Sequence, residues 1–203
     1  MKIICIGRNY AQHAIELGNE VPKEPVIFLK PDSAIIQKNQ PFFYPEFSQE
    51  IHHEVELVIK INRLGRHIPE KFSHKYYQDL GIGIDFTARD IQQICKDKGL
   101  PWEKAKAFDG SAPLGKFIKK STFKDINNID FNLDINGKTV QQGNTGNMIF
   151  SIDKLISHVS QFFTLKIGDL IFTGTPSGVG PVAVNDHLQC FIEGKLLLDF
   201  KVK

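Results

Sequence analysis

The stretch EIHHEVELVIKI, residues 50–61, is rich in Val and Ile and alternates between polar and apolar residues in the manner of a β-strand. Because successive side chains of a strand point to opposite faces, Glu54 and Glu56 would share one face. Their positions along the strand would then be roughly 6.6 Å apart. Val55 and Leu57 would pack on the other face. We therefore predict a half-buried strand over residues 53–61 that carries two neighbouring carboxylates.

Further strands are predicted on both sides of this one, and Asn136-Gly137 between two of them is a strong hairpin signal. Three helices are predicted at 10–17, 87–98 and 151–163, and Thr87 is the expected cap of the second. Strands outnumber helices and do not alternate regularly with them, which predicts a β-rich α+β fold. The other predicted strands are 2–6, 26–29, 131–135, 138–142, 170–173, 188–192 and 195–202. The apolar stripe predicted for the third helix is Ile152, Leu155, Ile156, Val159 and Phe162.

Length and composition indicate one ordinary globular domain over residues 1–203. The formal net charge of +2 lacks the strongly basic character of a nucleic-acid binder. The chain has neither the long apolar run of a membrane span nor the pattern of a signal peptide, so we expect a cytoplasmic protein. Its cysteines, Cys5, Cys95 and Cys190, are widely spaced, which predicts buried thiols rather than disulfides or a zinc site.

Asp85 is a candidate third carboxylate, because it follows the Gly-rich apolar run GIGI at 81–84 and directly precedes a predicted helix. Together with Glu54 and Glu56 it would form an all-oxygen set suited to Mg²⁺, with Mn²⁺ or Ca²⁺ also possible. The alternative for the glutamate pair alone is a solvent-exposed face of an edge strand.

Gln92 follows Arg89 by three positions, so the two side chains would point the same way from the helix that follows Asp85. Arg89 could bind a substrate carboxylate through two hydrogen bonds, or could instead pair with Asp90 or Asp97 on the surface. Lys106 lies near the end of a short helical stretch beside Ala107 and Phe108, which indicates partial burial of its side chain.

His13 and Glu16 have the same three-residue spacing near the N-terminus. A carboxylate at that position can orient the imidazole and stabilise its protonated form, which would make His13 a general base. Such pairs are also common on surface helices, where they have no catalytic role. The Gly-rich stretch 174–181 is not a nucleotide-binding loop, and we expect it to present backbone N–H groups and the Thr175 hydroxyl to an anion.

Five motifs occur in a fixed order along the chain: GRNYAQHAIELG, HHEVELVIKI, GIDFTARDIQ, KGLPWEKAKAFDGSAPLG and GDLIFTGTPSGVGP. Together they resemble the motifs of the fumarylacetoacetate hydrolase family, in particular its short branch of acylpyruvases and hydroxyheptadienedioate isomerase-like proteins. The resemblance extends over residues 2–202. Two stretches depart from the family pattern: DGSAPLG at 109–115 stands where the family often has a Cys before the Pro, and Gly146-Asn147 stands where Ser-Asp is frequent.

The resemblance implies a mixed β-sandwich roll that assembles as a homodimer. It also implies a divalent metal on Glu54, Glu56 and Asp85. The family's His–Glu dyad, on a short helix that closes over the substrate, corresponds to His13 and Glu16. Its substrate-side residues correspond to Arg89, Gln92, Lys106 and Thr175.

These assignments predict a Mg²⁺-dependent hydrolase that cleaves a C–C bond in a small 2,4-dioxo acid, an acylpyruvate, with His13 activating water and Lys106 assisting proton return. Oxaloacetate decarboxylation is one alternative within the same chemistry, and isomerisation or hydration of an unsaturated 2-oxo acid is another. A protein that binds metal and oxo acid without catalysis is the alternative of a different class.

Overall fold

One antiparallel ribbon of the chain links two sheets and carries the predicted carboxylates at its bend. The computed structural model describes residues 1–16, 20–36 and 40–203, with the backbone only at 13–15. The predicted strand over 53–61 is two strands, β3 (Ile51–His53) and β4 (Val55–Ile61), that meet at Glu54. Its partner is likewise divided into β5 (Tyr77–Ile84) and β6 (Thr87–Ala88), with Asp85 in the gap.

Both halves of the ribbon are antiparallel, but they belong to different sheets. Val55 pairs with Ile84 in the larger sheet, and His52 pairs with Thr87 in the smaller one. The Asp85 N–H donates to the Glu54 carbonyl at 2.8 Å, which continues the pairing across the gap. The prediction of one continuous strand was therefore wrong. The bend is what sets Glu54 directly opposite Asp85.

The remaining elements of the described residues are arranged around this ribbon. The other strands are β1 (Ile3–Gly7), β2 (Val26–Lys30), β7 (Ile118–Lys119), β8 (Asp130–Ile135), β9 (Lys138–Asn144), β10 (Leu170–Phe172), β11 (Gly180–Pro181), β12 (His187–Ile192) and β13 (Lys195–Lys201). The helices are α1 (Ala11–Glu16), α2 (Glu70–Ser73), α3 (Arg89–Lys98), α4 (Glu103–Lys106) and α5 (Ile152–Phe162).

Three sheets form within the described part of the chain. A mixed six-stranded sheet has the order β2-β1-β10-β4-β5-β7. In this sheet β1 and β10 are parallel, and all other neighbouring strands are antiparallel. A small sheet has the order β11-β3-β6, and an antiparallel sheet has the order β13-β12-β8-β9. The predicted β-rich α+β class is confirmed. The hairpin signal is confirmed as well, because Asn136 and Gly137 adopt the positive φ angles of 53° and 77° that its tight turn requires.

The strand directions bring several chain ends to one edge of the six-stranded sheet. β1, β10 and β5 finish at this edge, whereas β2 and β4 begin there. Side chains just beyond these ends therefore meet although they are distant in the sequence. This edge forms a pocket that includes Glu54, Glu56, Asp85 and Thr175.

Two details of the helix predictions were wrong. Thr87 is not a helix cap, because it lies in β6 and its hydroxyl donates to Glu54 at 3.1 Å. Phe162 was expected on the buried stripe of α5 but is 59% exposed at the end of that helix, whereas the other four stripe residues are buried. Ser151 does cap α5 by accepting from the Lys154 N–H. Leu17, predicted as the end of the first helix, lies outside the described residues.

Among the described residues, none of the helices is both long enough and apolar enough to cross a membrane. The three cysteines are buried free thiols, as predicted.

Gly83 lies in β5 opposite Glu56 and has no room for a side chain. A Cβ there would come within 2.7 Å of the Phe172 ring and 2.9 Å of the Pro113 carbonyl oxygen. We expect Gly83→Ala to lower the free energy of unfolding by about 2 kcal/mol in urea denaturation. Gly7→Ala is the matched control, since its nearest contacts would be 3.9 Å away. Equal stability of the two variants would contradict the close packing described.

Candidate metal centre

Glu54, Glu56 and Asp85 converge in the pocket at the edge of the six-stranded sheet. Each offers a carboxylate oxygen, and these three atoms lie within 4.8 Å of one another. All three residues are buried, with exposed fractions of 6%, 2% and 1%. Carboxylates this close and this buried repel one another unless protons or cations compensate them. The solvent-exposed alternative for the glutamate pair is thereby excluded.

Lys106 supplies one compensating charge at the end of α4. Its Nζ donates to Glu54 Oε2 at 2.9 Å, to Asp85 Oδ2 at 2.7 Å and to Thr87 Oγ1 at 2.5 Å. Burial by itself would lower the pKa of Lys106, but the neighbouring Asp85 and Glu54 carboxylates outweigh burial and raise that pKa. The predicted burial of Lys106 is confirmed, and its ammonium group bridges two of the three carboxylates.

Arg89, at the start of α3, holds Glu54 from the other side. Its Nη2 donates to Glu54 Oε1 at 2.6 Å, and its Nη1 donates to Gln92 Oε1 at 2.7 Å. Arg89 and Gln92 therefore share a face, as their spacing predicted. The surface partners considered for Arg89 are engaged elsewhere, because Asp90 accepts from Ser48 and Asp97 accepts from Gln93.

Lys30 is a third cation of the cluster that sequence reasoning missed. Its side chain is fully buried at the end of β2, and its Nζ lies 2.8 Å from Asp85 Oδ1. The same ammonium donates to the Ser111 hydroxyl and to the carbonyls of Phe86, Lys106 and Ser111. No local sequence signal links Lys30 to Asp85, because 54 residues separate them and only the fold brings them together.

Glu56 is buried and forms no ion pair with a described residue. Burial, reinforced by the Asp85 charge, raises the pKa of Glu56 well above its ordinary value. The Gly174 N–H, just past the end of β10, donates to Glu56 Oε2 at 2.6 Å and partly offsets this effect. The Gly-rich stretch was expected to present N–H groups to an anion, and the anion that Gly174 meets is a carboxylate of the protein itself.

The donor set fits a hard divalent cation. Three carboxylates on fixed strand ends supply only oxygen ligands, which suits Mg²⁺, Mn²⁺ or Ca²⁺ better than softer metals. Asp85 Oδ1 is buried and accepts no aligned hydrogen bond from the described residues, since Lys30 approaches it by charge rather than with hydrogen-bond geometry. A cation at this position would satisfy an oxygen that is otherwise only charge-balanced.

Thr175 faces the same pocket and is held by a residue from another sheet. Gln141, on β9, donates from Nε2 to Thr175 Oγ1 at 2.9 Å, while its Oε1 accepts from the Val55 N–H at 3.0 Å. His53 Nδ1 also lies 2.8 Å from Gln141 Oε1. Gln141 was not singled out from the sequence. The sequence feature that could have indicated a role for Gln141 is its polar amide in the predicted hairpin strand that follows Asn136-Gly137.

The rest of the pocket wall comes from β1, β2, α3 and the loop before α4. The rings of Phe28 and Trp102 pack edge to face with their centroids 6.3 Å apart, and they form an apolar side of the pocket. Arg8 and Lys96 add positive charge. None of these four was predicted from the sequence as a site residue.

The proposed His13–Glu16 pair is described only in part. The His13 side chain lies outside the part of the chain that the structure describes, and its role as a base stays a prediction. The Glu16 carboxylate lies at the end of α1 and accepts from the Gly178 N–H at 3.1 and 3.2 Å. A second N–H of the Gly-rich stretch thus binds a carboxylate of the protein.

A model of the fumarylacetoacetate (FAA) hydrolase C-terminal family matches residues 2–202. The chain belongs to the fumarylacetoacetate hydrolase family. The β-rich fold implied by the sequence motifs is confirmed, since the crystal structure of fumarylpyruvate hydrolase from Pseudomonas aeruginosa in complex with Mn²⁺ and pyruvate is closely similar. It has a TM-score of 0.93 and 35% identity, and the match covers 100% of this chain and 89% of that one.

Two curated relatives of this family member are more similar in sequence. The oxaloacetate tautomerase of Bos taurus is 44% identical over 99% of this chain and 91% of the relative. The oxaloacetate decarboxylase of Dictyostelium discoideum is 47% identical over 95% of this chain and 89% of the relative. Both carry the description mitochondrial. The names of both relatives refer to oxaloacetate and not to the acylpyruvates expected from the motifs.

We expect Glu56→Gln to lower Mn²⁺ affinity at least about 100-fold in calorimetric titration, because it removes one of three charged ligands. The variant should fold, since its amide oxygen can still accept from the Gly174 N–H. The free energy of unfolding without metal should not fall, because burial disfavours the charged form of Glu56. Glu50→Gln, an exposed change just before β3, is the control. Unchanged Mn²⁺ affinity in Glu56→Gln would refute the proposed ligand set.

We expect Lys30→Met to lower the free energy of unfolding by about 3 kcal/mol or more, because it removes the cation beside Asp85 Oδ1 and leaves that buried oxygen without a partner. Lys119→Met is the matched control. Lys119 Nζ lies 2.6 Å from Asp79 Oδ1, but the lysine side chain is 68% exposed, so its loss should cost less than about 1 kcal/mol. Urea denaturation measures both, and similar losses would show that the buried pair has no special role.

Proposed function

We propose that this family member catalyses the keto–enol tautomerisation of oxaloacetate with a divalent metal, for which Mg²⁺ is the first candidate. The observation that carries the proposal is the buried convergence of Glu54, Glu56 and Asp85 in a pocket that also contains Lys106 and Arg89. The similarity to an oxaloacetate tautomerase over nearly the whole chain supports oxaloacetate as the substrate.

The reaction moves one proton and breaks no carbon–carbon bond. A base removes a proton from C3 of oxaloacetate, the electron pair shifts to the 2-oxo oxygen, and a proton is added to that oxygen. A dication on Glu54, Glu56 and Asp85 would supply positive charge that stabilises the negative charge developing on this oxygen. The reverse sequence returns the ketone.

The chain's own residues would hold the reacting groups and transfer the proton. Lys106 directs all three of its N–H donors to Glu54, Asp85 and Thr87, so its ammonium group can donate to a substrate oxygen when one of these hydrogen bonds is exchanged for the substrate. Thr175, whose oxygen accepts from Gln141, can turn its hydroxyl hydrogen toward a bound carboxylate. We assign proton removal to His13, oriented by Glu16. The Gly178 N–H that binds the Glu16 carboxylate would keep Glu16 in position for this role.

Hydrolysis of an acylpyruvate is the second candidate, and the similarity to a fumarylpyruvate hydrolase whose structure contains pyruvate favours it. Here His13 would remove a proton from water, and the resulting hydroxide would attack the 4-carbonyl. The C–C bond would then break to give a carboxylic acid and the enolate of pyruvate, which takes up a proton to become pyruvate. Decarboxylation of oxaloacetate, the activity named for a third relative, needs the same charge stabilisation but no attacking water.

The single domain, the homodimer and the cytoplasmic location remain predictions.

We expect the Mg²⁺- or Mn²⁺-loaded protein to accelerate the conversion of oxaloacetate enol to the ketone, measured as the loss of the enol's ultraviolet absorbance. The amount of CO₂ released should be much smaller than the amount of enol lost. Glu56→Gln should abolish the acceleration because it weakens metal binding. His13→Ala should keep Mn²⁺ affinity but slow the proton transfer by about 100-fold or more.

Parallel assays separate the candidates. Pyruvate release from acetylpyruvate without acceleration of the tautomerisation would replace the proposal by the hydrolase reaction. CO₂ release in step with enol loss would replace it by decarboxylation. Tight binding of metal and oxo acid, with no turnover of oxaloacetate or acetylpyruvate, would show that the protein binds these ligands without catalysis.

A further inference from the structure

The pocket contains two cations that have no carboxylate partner in the part of the chain that the structure describes. Four cationic side chains line it, and two of them, Arg89 and Lys106, are bound to the carboxylates of the candidate metal centre. The other two, Arg8 and Lys96, form no ion pair with a described residue. Because a dication would add further positive charge, the pocket as a whole suits a ligand with more than one negative charge.

The backbone of Arg8 is held in a conformation that arginine rarely adopts. Its φ of 60° lies in the left-handed region, which favours Gly, Asn and Asp. The next residue is locked, because the Asn9 amide donates to the carbonyls of Phe150 and Thr173 and its oxygen accepts from the Phe150 N–H. Strain of this kind persists where the surroundings enforce it, and it is concentrated at functional sites.

Lys96 reaches the pocket from α3. It follows Gln92 by four residues and Arg89 by seven, so the three side chains share one face of the helix. Partial burial lowers the pKa of Lys96, and the positive charges of Arg89 and Arg8 add to this effect. The cations at this side of the pocket therefore repel one another, and a bound anion would relieve the repulsion.

The two charge groups differ in depth. Glu54, Glu56 and Asp85 are buried, whereas Arg8 is half-buried and Lys96 is exposed. A small oxo acid with its 2-oxo and carboxylate oxygens at the deep carboxylate end would direct its remaining atoms toward the mouth. A ligand with a second carboxylate at its far end would bring that charge to the side of Arg8 and Lys96.

We propose that Arg8 and Lys96 bind the distal carboxylate and select dicarboxylic 2-oxo acids over monocarboxylic ones. This inference rests on the proposed function for the identity of oxaloacetate, but it concerns separate residues. It gives a physical reason for an arginine at a position where asparagine or glycine would be less strained.

The test uses the Mn²⁺-loaded full chain and the variants Arg8→Asn, Arg8→Lys and Lys96→Gln. Arg8→Asn should raise KM for oxaloacetate about tenfold or more while kcat changes less than about threefold, because it removes a charged hydrogen-bond donor. Arg8→Lys should restore part of the loss, and Lys96→Gln should have a smaller effect than Arg8→Asn. Lys98→Gln, an exposed change on the same helix outside the pocket, is the matched control and should match the wild type.

Two further readouts separate this role from a structural one. Calorimetric affinity for 2-oxoglutarate should fall in Arg8→Asn, whereas affinity for pyruvate, which lacks a distal carboxylate, should not. The thermal unfolding midpoint of Arg8→Asn should equal or exceed that of the wild type, because asparagine tolerates the left-handed conformation.

The outcomes also distinguish the two proposals. If the wild type does not act on oxaloacetate, the proposed function fails, and the two calorimetric titrations still test the distal site. An unchanged KM for oxaloacetate in Arg8→Asn, or equal losses for pyruvate and 2-oxoglutarate, would overturn the inference. A loss in Lys98→Gln equal to that in Lys96→Gln would also overturn it, because general charge attraction would then explain the effect.

Discussion

The buried ionic cluster around Asp85 is the interaction on which the site depends. Lys30 and Lys106 approach its two carboxylate oxygens from β2 and α4, and Lys106 continues the chain of contacts to Glu54 and from there to Arg89. Removing one member would strand a charge in the interior, which is far more costly than never having placed it there. The cluster therefore fixes the relative positions of elements that are distant in sequence.

The bend of the ribbon explains why the carboxylates converge. A continuous strand would keep Glu54 within one sheet and separate it from Glu56 by the strand repeat. Because β3 and β5 end where β4 and β6 begin, Glu54 and Asp85 occupy facing gaps in the pairing. The ends of β1 and β10 add the Arg8 and Thr175 positions at the same edge.

Local sequence patterns predicted the helices and strands better than they predicted the tertiary contacts between side chains. The hairpin at Asn136-Gly137 and the capped helix α5 follow from turn and capping chemistry that acts over a few residues. The three carboxylates were found because their residue type and strand context are visible in sequence. Lys30 and Gln141 were missed because their roles come from tertiary contacts, and Thr87 was misassigned because its hydroxyl serves Glu54 instead of a helix end.

The bridging position of Lys106 would allow the polypeptide to fold before a cation binds to the candidate metal centre. Small zinc domains remain unstructured until their ligands are neutralised by the metal. Here Glu54 and Asp85 already have internal counterions, and burial favours the neutral form of Glu56, so the chain has no electrostatic need of an external cation in order to fold. A chain that is fully folded without metal could take up a hard divalent cation afterwards, and which one it took up would depend on the cations that its compartment supplies.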